Sequence, residues 1–407
     1  MSPTPTPADV LESVRAAVLE AEPHLLELSH ALSDDPELAF DEVRAAARVA
    51  AVLEDAGFTL TREAYGLPTA IEAVYGTGEL TVVIACEYDA LPGVGHACGH
   101  NIIAAAAVGA ALGLAPLADE LGLRLVLLGT PAEESGGGKI LLLQRGAWDS
   151  AALSLMVHPS TAGQLPATGL VTFALEHVRV EFSGRAAHAA AAPQTGINAG
   201  DAITLTQVGL GLLRQQLPPA TIVASRVVEA GVATNIIPDT GVMEIEIRGA
   251  NAQEWNDVRA RIRKVVEGAA IATGCTWSVE PTEVPYEPLT SDPDLADLWD
   301  GVLAEDLGYS SGSIPPGYVG GSTDMGNVSQ YLPSIHPMLE LKDVEATPHH
   351  ADFAAAARSA AGDRAVVDGA LGLAFTVAKA ASLTELRARL LDLQAQRKPF
   401  ATFDAER

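Results

Sequence analysis

The chain is poor in cysteine and in cations, and each shortage excludes a class of protein. Cysteine occurs three times in 407 residues, as Cys86, Cys98 and Cys275. An odd, sparse set excludes a disulfide framework and fits a reducing compartment. Lys and Arg total 25 against 52 Asp and Glu, a formal net charge of −27. Such a surface repels phosphate backbones and anionic lipid head groups, so neither nucleic acid nor a membrane surface is an expected partner. An anionic substrate would need a local cation. The first residues, Met1 to Pro7, have neither the basic segment nor the apolar segment of an export leader. Their prolines predict a short frayed tail, and the expected location is cytoplasmic. The longest apolar run, Ile102 to Ala118, contains Pro116 and falls short of a membrane span, so it reads as a buried helix. The glycines at 136–138 lack the Lys-Ser/Thr of a phosphate loop, which argues against nucleotide binding.

What is present is a large apolar fraction, 48% of residues, ample for a sizeable core. The length predicts two or three domains. Helices are expected over 8–33, with Pro23 permitting a kink or a break, and over 41–56, closed by Gly57. Strands and helices then alternate: strand 80–86, helix 99–114, strand 124–128, helix 138–146, strand 153–157. The strands are near-continuous apolar runs, the pattern of an α/β sheet covered on both faces. After about residue 170 the pattern changes. Strand 171–182 alternates polar and apolar residues. Helix 196–216, strands 221–229 and 241–247, helix 254–273 and strand 276–280 complete a β-α-β-β-α-β unit, a small α+β domain. The first pattern resumes at about Asp292, so the middle unit reads as an insertion. Its expected limits are 172–287, with 1–171 and 288–407 forming the larger, discontinuous domain.

In an open α/β sheet, ligands bind beyond the carboxyl ends of the strands. Glu87 and Asp89 follow the strand ending at Cys86. Glu133 and Glu134 follow the next strand, and His158 follows the one after. Cys98 alone would read as a small core residue. With His100 two residues on, and with the corner glycines Gly95 and Gly99, it points to metal binding. Two adjacent carboxylates can divide two tasks, one holding a cation and the other moving protons. His349 and His350 are a further pair, of which one reads as solvent-facing. His24, His30 and His177 lie in helix or strand patterns and read as structural.

The motifs Glu87-Tyr88-Asp89-Ala90-Leu91-Pro92, His96-Ala97-Cys98-Gly99-His100-Asn101 and Pro131-Ala132-Glu133-Glu134 resemble those of the M20 metallopeptidase and amidohydrolase family. The likeness extends to Ser322 through Ser329 and Pro333 through Pro337. It is to the Cys-ligand branch, which holds one component of p-aminobenzoyl-glutamate hydrolase and the M20-domain dipeptidases. The resemblance implies a zinc-peptidase-like catalytic domain with a central mixed sheet, interrupted by a lid or dimerisation domain. It implies two divalent ions, Zn2+ or Mn2+, with Cys98 bridging, His100 and His158 completing one site, and Glu134 and His349 the other. His349 is preferred to His350 because it stands four residues before Phe353. Glu133 would be the general base and Asp89 would orient His100. In the lid, His188 would reach the active site of a partner protomer, so a homodimer is implied. Asn235 and Arg248 would hold a substrate carboxylate, with Gly321 and Ser322 lining the pocket near Gly320. A guanidinium suits that task because its planar fork pairs a carboxylate at two points.

The implied reaction is hydrolysis of the amide bond of an N-acyl or aminobenzoyl amino acid with a free carboxylate. Two alternatives are a dipeptidase for β-alanyl or ω-aminoacyl dipeptides and a non-catalytic metal-binding member of the family. The chain departs from the wider family at Glu87, where His is common, and at Asn101, where Asp is common. These departures leave the choice between zinc and manganese open.

Overall fold

The computed structural model of the chain describes residues 6–315 and 319–405; of the tail expected to fray, residues 1–5 lie outside them, whereas Thr6 caps and Pro7 begins the first helix. Helix α1 (Pro7–Asp34) opens with a capping box: Thr6 Oγ1 accepts the Asp9 N–H, and the Asp9 carboxylate accepts the Thr6 N–H at 2.8 Å. It continues through Pro23 as a single 28-residue helix, where the sequence permits a break. Val10, Val14 and Val18 before the proline, and Leu25, Leu28 and Leu32 after it, are all buried, so packing outweighs the lost backbone donor. Helix α2 (Val43–Asp55) ends before Gly57, whose φ is +86°. An antiparallel pair, β1 (Thr59–Arg62) and β2 (Ile71–Tyr75), follows. Local pattern does not reveal this pair, because β1 is short and mostly exposed.

The chain then builds β3 (Leu80–Cys86), α3 (His100–Leu114), α4 (Ala118–Leu121), β4 (Leu123–Gly129), α5 (Gly138–Gln144), β5 (Leu153–Leu155) and β6 (His158–Ser160). The expected strand 153–157 is thus shorter, ending at Leu155. β5 stays in the main sheet, and His158 begins a separate ladder.

A second unit comprises Val171–Pro288 and Val319–Gly326. It contains β7 (Ala174–Ser183), β8 (Ala187–His188), α6 (Ala199–Leu213), β9 (Thr221–Glu229), β10 (Ile236–Ile237), β11 (Thr240–Gly249), α7 (Ala252–Thr273) and β12 (Thr276–Pro281). Its sheet has the order β12-β7-β11-β9, antiparallel throughout. Val178, Val180 and Phe182 of β7 and Met243, Ile245 and Ile247 of β11 share a core with Ile203 and Leu210 of α6 and Trp255, Val258 and Ile262 of α7. The alternation along β7 therefore has the expected origin, one face buried and one open. The limits 172–287 need one correction: they omit Val319–Gly326. Gly320 bridges to Thr172 and the Phe173 N–H donates to the Gly321 carbonyl at 2.9 Å, which joins this segment to the inserted unit.

The remaining chain returns to the first unit with α8 (Pro293–Gly301), most of α9 (Met325–Tyr331), β13 (Ser334–Ile335), β14 (Met338–Glu340), α10 (Ala351–Ala357) and α11 (Ala360–Ser382). The main sheet has the order β1-β2-β4-β3-β5-β13. β4, β3, β5 and β13 run parallel, while β2 is antiparallel to β4, so the sheet is mixed. Every residue of β3 is buried. The apolar run beginning at Ile102 is enclosed as α3, packed between α1 and α11. Glycine permits the close approach: a Cβ on Gly109 would stand 2.7 Å from Leu25 and from Ala370.

Because β3, β4 and β5 are parallel neighbours, their carboxyl ends share one edge. Behind that edge lies a wholly buried ion pair between Lys139 Nζ on α5 and Glu87 Oε1. Burial pushes the Glu87 carboxyl up, but the Lys139 and His100 charges outweigh it and hold the group below the usual range. Removing one partner would leave an uncompensated charge in the core. Lys139→Met is expected to cost about 3–5 kcal/mol of stability, and adding Glu87→Gln to recover part of it. Thermal unfolding of the parent, the single and the double variant checks this order.

Candidate active site

The site is assembled where strands leave the sheet. After Cys86, residues Glu87, Tyr88 and Asp89 remain enclosed. The turn that follows has positive φ at Gly95 and Gly99. Gly99 precedes α3, and a Cβ there would come within 2.5 Å of Pro159, so both its conformation and its surroundings demand glycine. This turn sets Cys98 and His100 on either side of one corner. The Glu133-Glu134 pair leaves β4 through Ala132, itself at φ +60°. His349 has φ +65°, and its N–H donates to the Ala97 carbonyl at 3.0 Å, next to Cys98.

Three groups of potential ligands converge, each with its donor atoms within 4.8 Å of one another: Cys98, His100 and His158; Cys98, Glu134 and His349; Glu87, His100 and Glu133. Cys98 belongs to two of them. The structure therefore gathers all five residues singled out as metal ligands around one sulfur. His350 belongs to none of these groups; it caps α10. His349 Nε2 lies 3.8 Å from Glu134 Oε2, and the His349 side chain is 60% exposed, so this face of the cluster is open.

Two of the ligand imidazoles, His100 buried and His158 half-buried, are each held by one nitrogen. Asp89 Oδ1 meets His100 Nδ1 at 3.0 Å, and Asp89 Oδ2 accepts the Glu134 N–H at 2.9 Å. His158 Nδ1 is 2.8 Å from the Pro159 carbonyl, which fixes that nitrogen as the donor. His100 Nε2 is buried without a hydrogen-bond partner among the described residues. It lies 3.5 Å from Glu87 Oε2, 3.7 Å from Glu134 Oε1 and 3.8 Å from Glu133 Oε2. Burial would lower the His100 pKa, but Asp89 and then Glu87 and Glu134 raise it well above the ordinary value. Burial lowers His158 to about 3, with His336 and His100 adding to the effect, so this ring is neutral. Burial, then the Glu134 carboxylate, push the Cys98 thiol far up, so a thiolate here requires a cation beside it. An orphaned imidazole nitrogen, a shared sulfur and a surplus of carboxylates fit a pair of divalent ions.

The residues expected in the lid form two local groups within the second unit. His188 and Ile236 are register partners in the β8–β10 ladder, which places Asn235 beside His188; the Ala189 N–H donates to the Asn235 carbonyl at 2.9 Å. His188 Nδ1 accepts the Ala190 and Ala191 amides at 3.2 and 3.1 Å, leaving Nε2 as the protonated nitrogen on an exposed ring. Arg248 lies on the open face of the β7–β11 sheet. Its Nε donates to Glu246 Oε1 at 2.8 Å, and Nη1 is 3.3 Å from Ser322 Oγ. His177, read as structural, holds the other Glu246 oxygen at 3.0 Å. Gly321 lies beside Ser322 at the strand edge.

Four buried polar residues near the site carry no role in the sequence reading. Lys139 and Glu87 form the ion pair. The His336 ring lies 5.6 Å from that of His158, tilted against it, and burial lowers its pKa to about 4. The Glu42 carboxylate accepts the Ala132 N–H at the Glu133 turn. Of the three that stand outside the Glu87 motif, only His336 carries a signal, by lying within a family-like motif.

Comparison with known proteins agrees with this arrangement. The sequence profile of peptidase family M20/M25/M40 matches residues 71–365. A Xaa-Arg dipeptidase of Mus musculus is 36% identical over 379 residues, which cover 88% of this chain and 85% of that protein. One component of the p-aminobenzoyl-glutamate hydrolase of Escherichia coli is 31% identical over 263 residues, 60% of this chain and 54% of that protein. In fold, the chain is similar to a dinuclear metal binding peptidase of Bacillus subtilis, with TM-score 0.70 and 21% identity over 89% of this chain and 98% of that one. A mixed α/β fold, these motifs and these likenesses make the chain a member of peptidase family M20/M25/M40, hydrolases of amide bonds.

Proposed function

We propose that this enzyme hydrolyses the amide bond of a small substrate whose leaving amine is an amino acid with a free carboxylate, using two divalent cations, Zn2+ or Mn2+. The observation that carries the reading is the sharing of Cys98 between two ligand groups, one completed by His100 and His158 and the other by Glu134 and His349. When bound, the cations supply Lewis acidity to the scissile carbonyl and to water. Glu133, the adjacent carboxylate outside both of these groups, takes the proton of the attacking water and returns it to the leaving amine. His188, with Nε2 protonated, is suited to donate to a developing oxyanion. Arg248 and Asn235 have the chemistry to anchor the substrate carboxylate, with Glu246 and Ser322 presenting the guanidinium.

Among substrates, a dipeptide with a basic second residue has the broadest support. The mouse Xaa-Arg dipeptidase aligns with most of this chain, and a net charge of −27 attracts cationic substrates. The second reading, an N-acyl or aminobenzoyl amino acid, draws on the likeness to the E. coli hydrolase component. A homodimer through the inserted unit belongs to the same proposal. Leu205, Val208 and Leu212 give α6 an apolar outer face, with Leu212 72% exposed, and β9 is a sheet edge with exposed Val227 and Val228.

Three outcomes are expected. A panel of dipeptides and N-acyl amino acids, read by mass spectrometry, should show release of a free amino acid, fastest from dipeptides ending in Arg or Lys; no turnover across the panel would favour a non-catalytic role. Glu133→Ala should lose on the order of 10²-fold or more in kcat while its metal content, read by plasma mass spectrometry, stays at the parent's level. Leu212→Asp should shift the sedimenting species from dimer to monomer, whereas a monomeric parent would remove the dimer from the proposal.

A further inference from the structure

We propose that Glu42 is a positioning residue for Glu133, its carboxylate fixing the peptide from which the general base projects. The inference rests on the role proposed above for Glu133. Glu42 precedes α2 and is wholly buried. Its Oε1 accepts the Ala132 N–H at 2.8 Å, and its Oε2 accepts the Thr69 hydroxyl at 2.8 Å. Two buried carboxylates therefore grip the turn on either side of Glu133: Glu42 holds the amide before it, and Asp89 holds the amide after it.

The turn needs such a grip. Ala132 is held at φ +60°, a left-handed conformation that an L-residue keeps only when its surroundings impose it. The Gly137 N–H closes the turn onto the Ala132 carbonyl at 3.0 Å. The same α1–α2 connection braces the far side as well: a Cβ on Gly136 would stand 2.5 Å from the Phe40 ring, and Phe40 itself has φ +64°. Without Glu42, the Ala132 N–H would be a buried donor with no acceptor, and the turn would relax. Asp89 would still hold Glu134, so the disturbance should fall on the proton-moving residue and spare the ligand.

Burial pushes the Glu42 carboxyl up to about 7. In either protonation state Oε1 remains an acceptor, so a glutamine amide oxygen can take its place. This separates positioning from simple structural support. Glu42→Gln should keep kcat within about threefold of the parent, because its amide oxygen accepts the same N–H. Glu42→Ala should lower kcat on the order of 10- to 100-fold, the effect of a misplaced reacting group, with KM nearly unchanged and metal content at the parent's level. Hydrogen–deuterium exchange over residues 130–137 should quicken in Glu42→Ala and stay at the parent's rate in Glu42→Gln. If Glu42→Ala does not fold, Glu42→Asp, one methylene too short to reach Ala132, takes its place in every comparison. Parental kcat in the Ala or Asp variant, loss of metal in step with activity, or unchanged exchange at the turn would each overturn the proposal. A parent that turns over no amide would instead sink the functional reading, and the exchange experiment would still decide whether Glu42 holds the turn.

Discussion

Asp89 spends its two carboxylate oxygens on two different strand ends. One meets the His100 ring, which lies at the start of the helix after β3. The other holds the backbone of Glu134, which leaves β4. The parallel pairing of β3 with β4 brings these ends to one edge, and Asp89 sets their spacing there. With Nδ1 engaged, the ring can offer only Nε2 to the cluster, and this is the nitrogen left buried without a partner among the described residues. A hydrogen bond behind a ligand both fixes the ring and raises its basicity. The shared sulfur of Cys98 acquires its meaning only when His100 and Glu134 stand on either side of it.

The cluster is also a problem in charge. Glu87, Asp89, Glu133 and Glu134 crowd one corner, and Lys139 pairs with the first of them. Carboxylates this close and this dry repel one another unless cations intervene. In its own unit, Arg248 is already occupied by Glu246, and His177 holds Glu246 in turn. An incoming carboxylate would therefore compete with a resident one.

Much of the architecture is legible in the residues. Continuous apolar runs at 80–86 and 123–129 are buried strands because both faces of the sheet are covered, and the alternation in 174–183 marks a sheet with one open face. The glycines near Cys98 signal a tight corner from residue type alone. Less legible are β1, which has no apolar run, the separate ladder that begins at His158, and the assignment of Val319–Gly326 to the inserted unit. These depend on pairing partners far along the chain, which local pattern does not contain.

By itself, the sequence determined the kind of chemistry: which side chains can bind cations, which carboxylate is adjacent to a ligand, and which ends of which strands carry them. It did so because residue type and periodicity are local properties. The resemblance of the motifs already implied that Cys98 serves two groups and that His349 rather than His350 joins them; tertiary structure brings those side chains within reach of one another, and it alone decided that Glu42, ninety residues before Ala132, holds the turn of the proposed base. Those outcomes rest on distances between segments remote in sequence, and only the packed sheet and its helices set such distances.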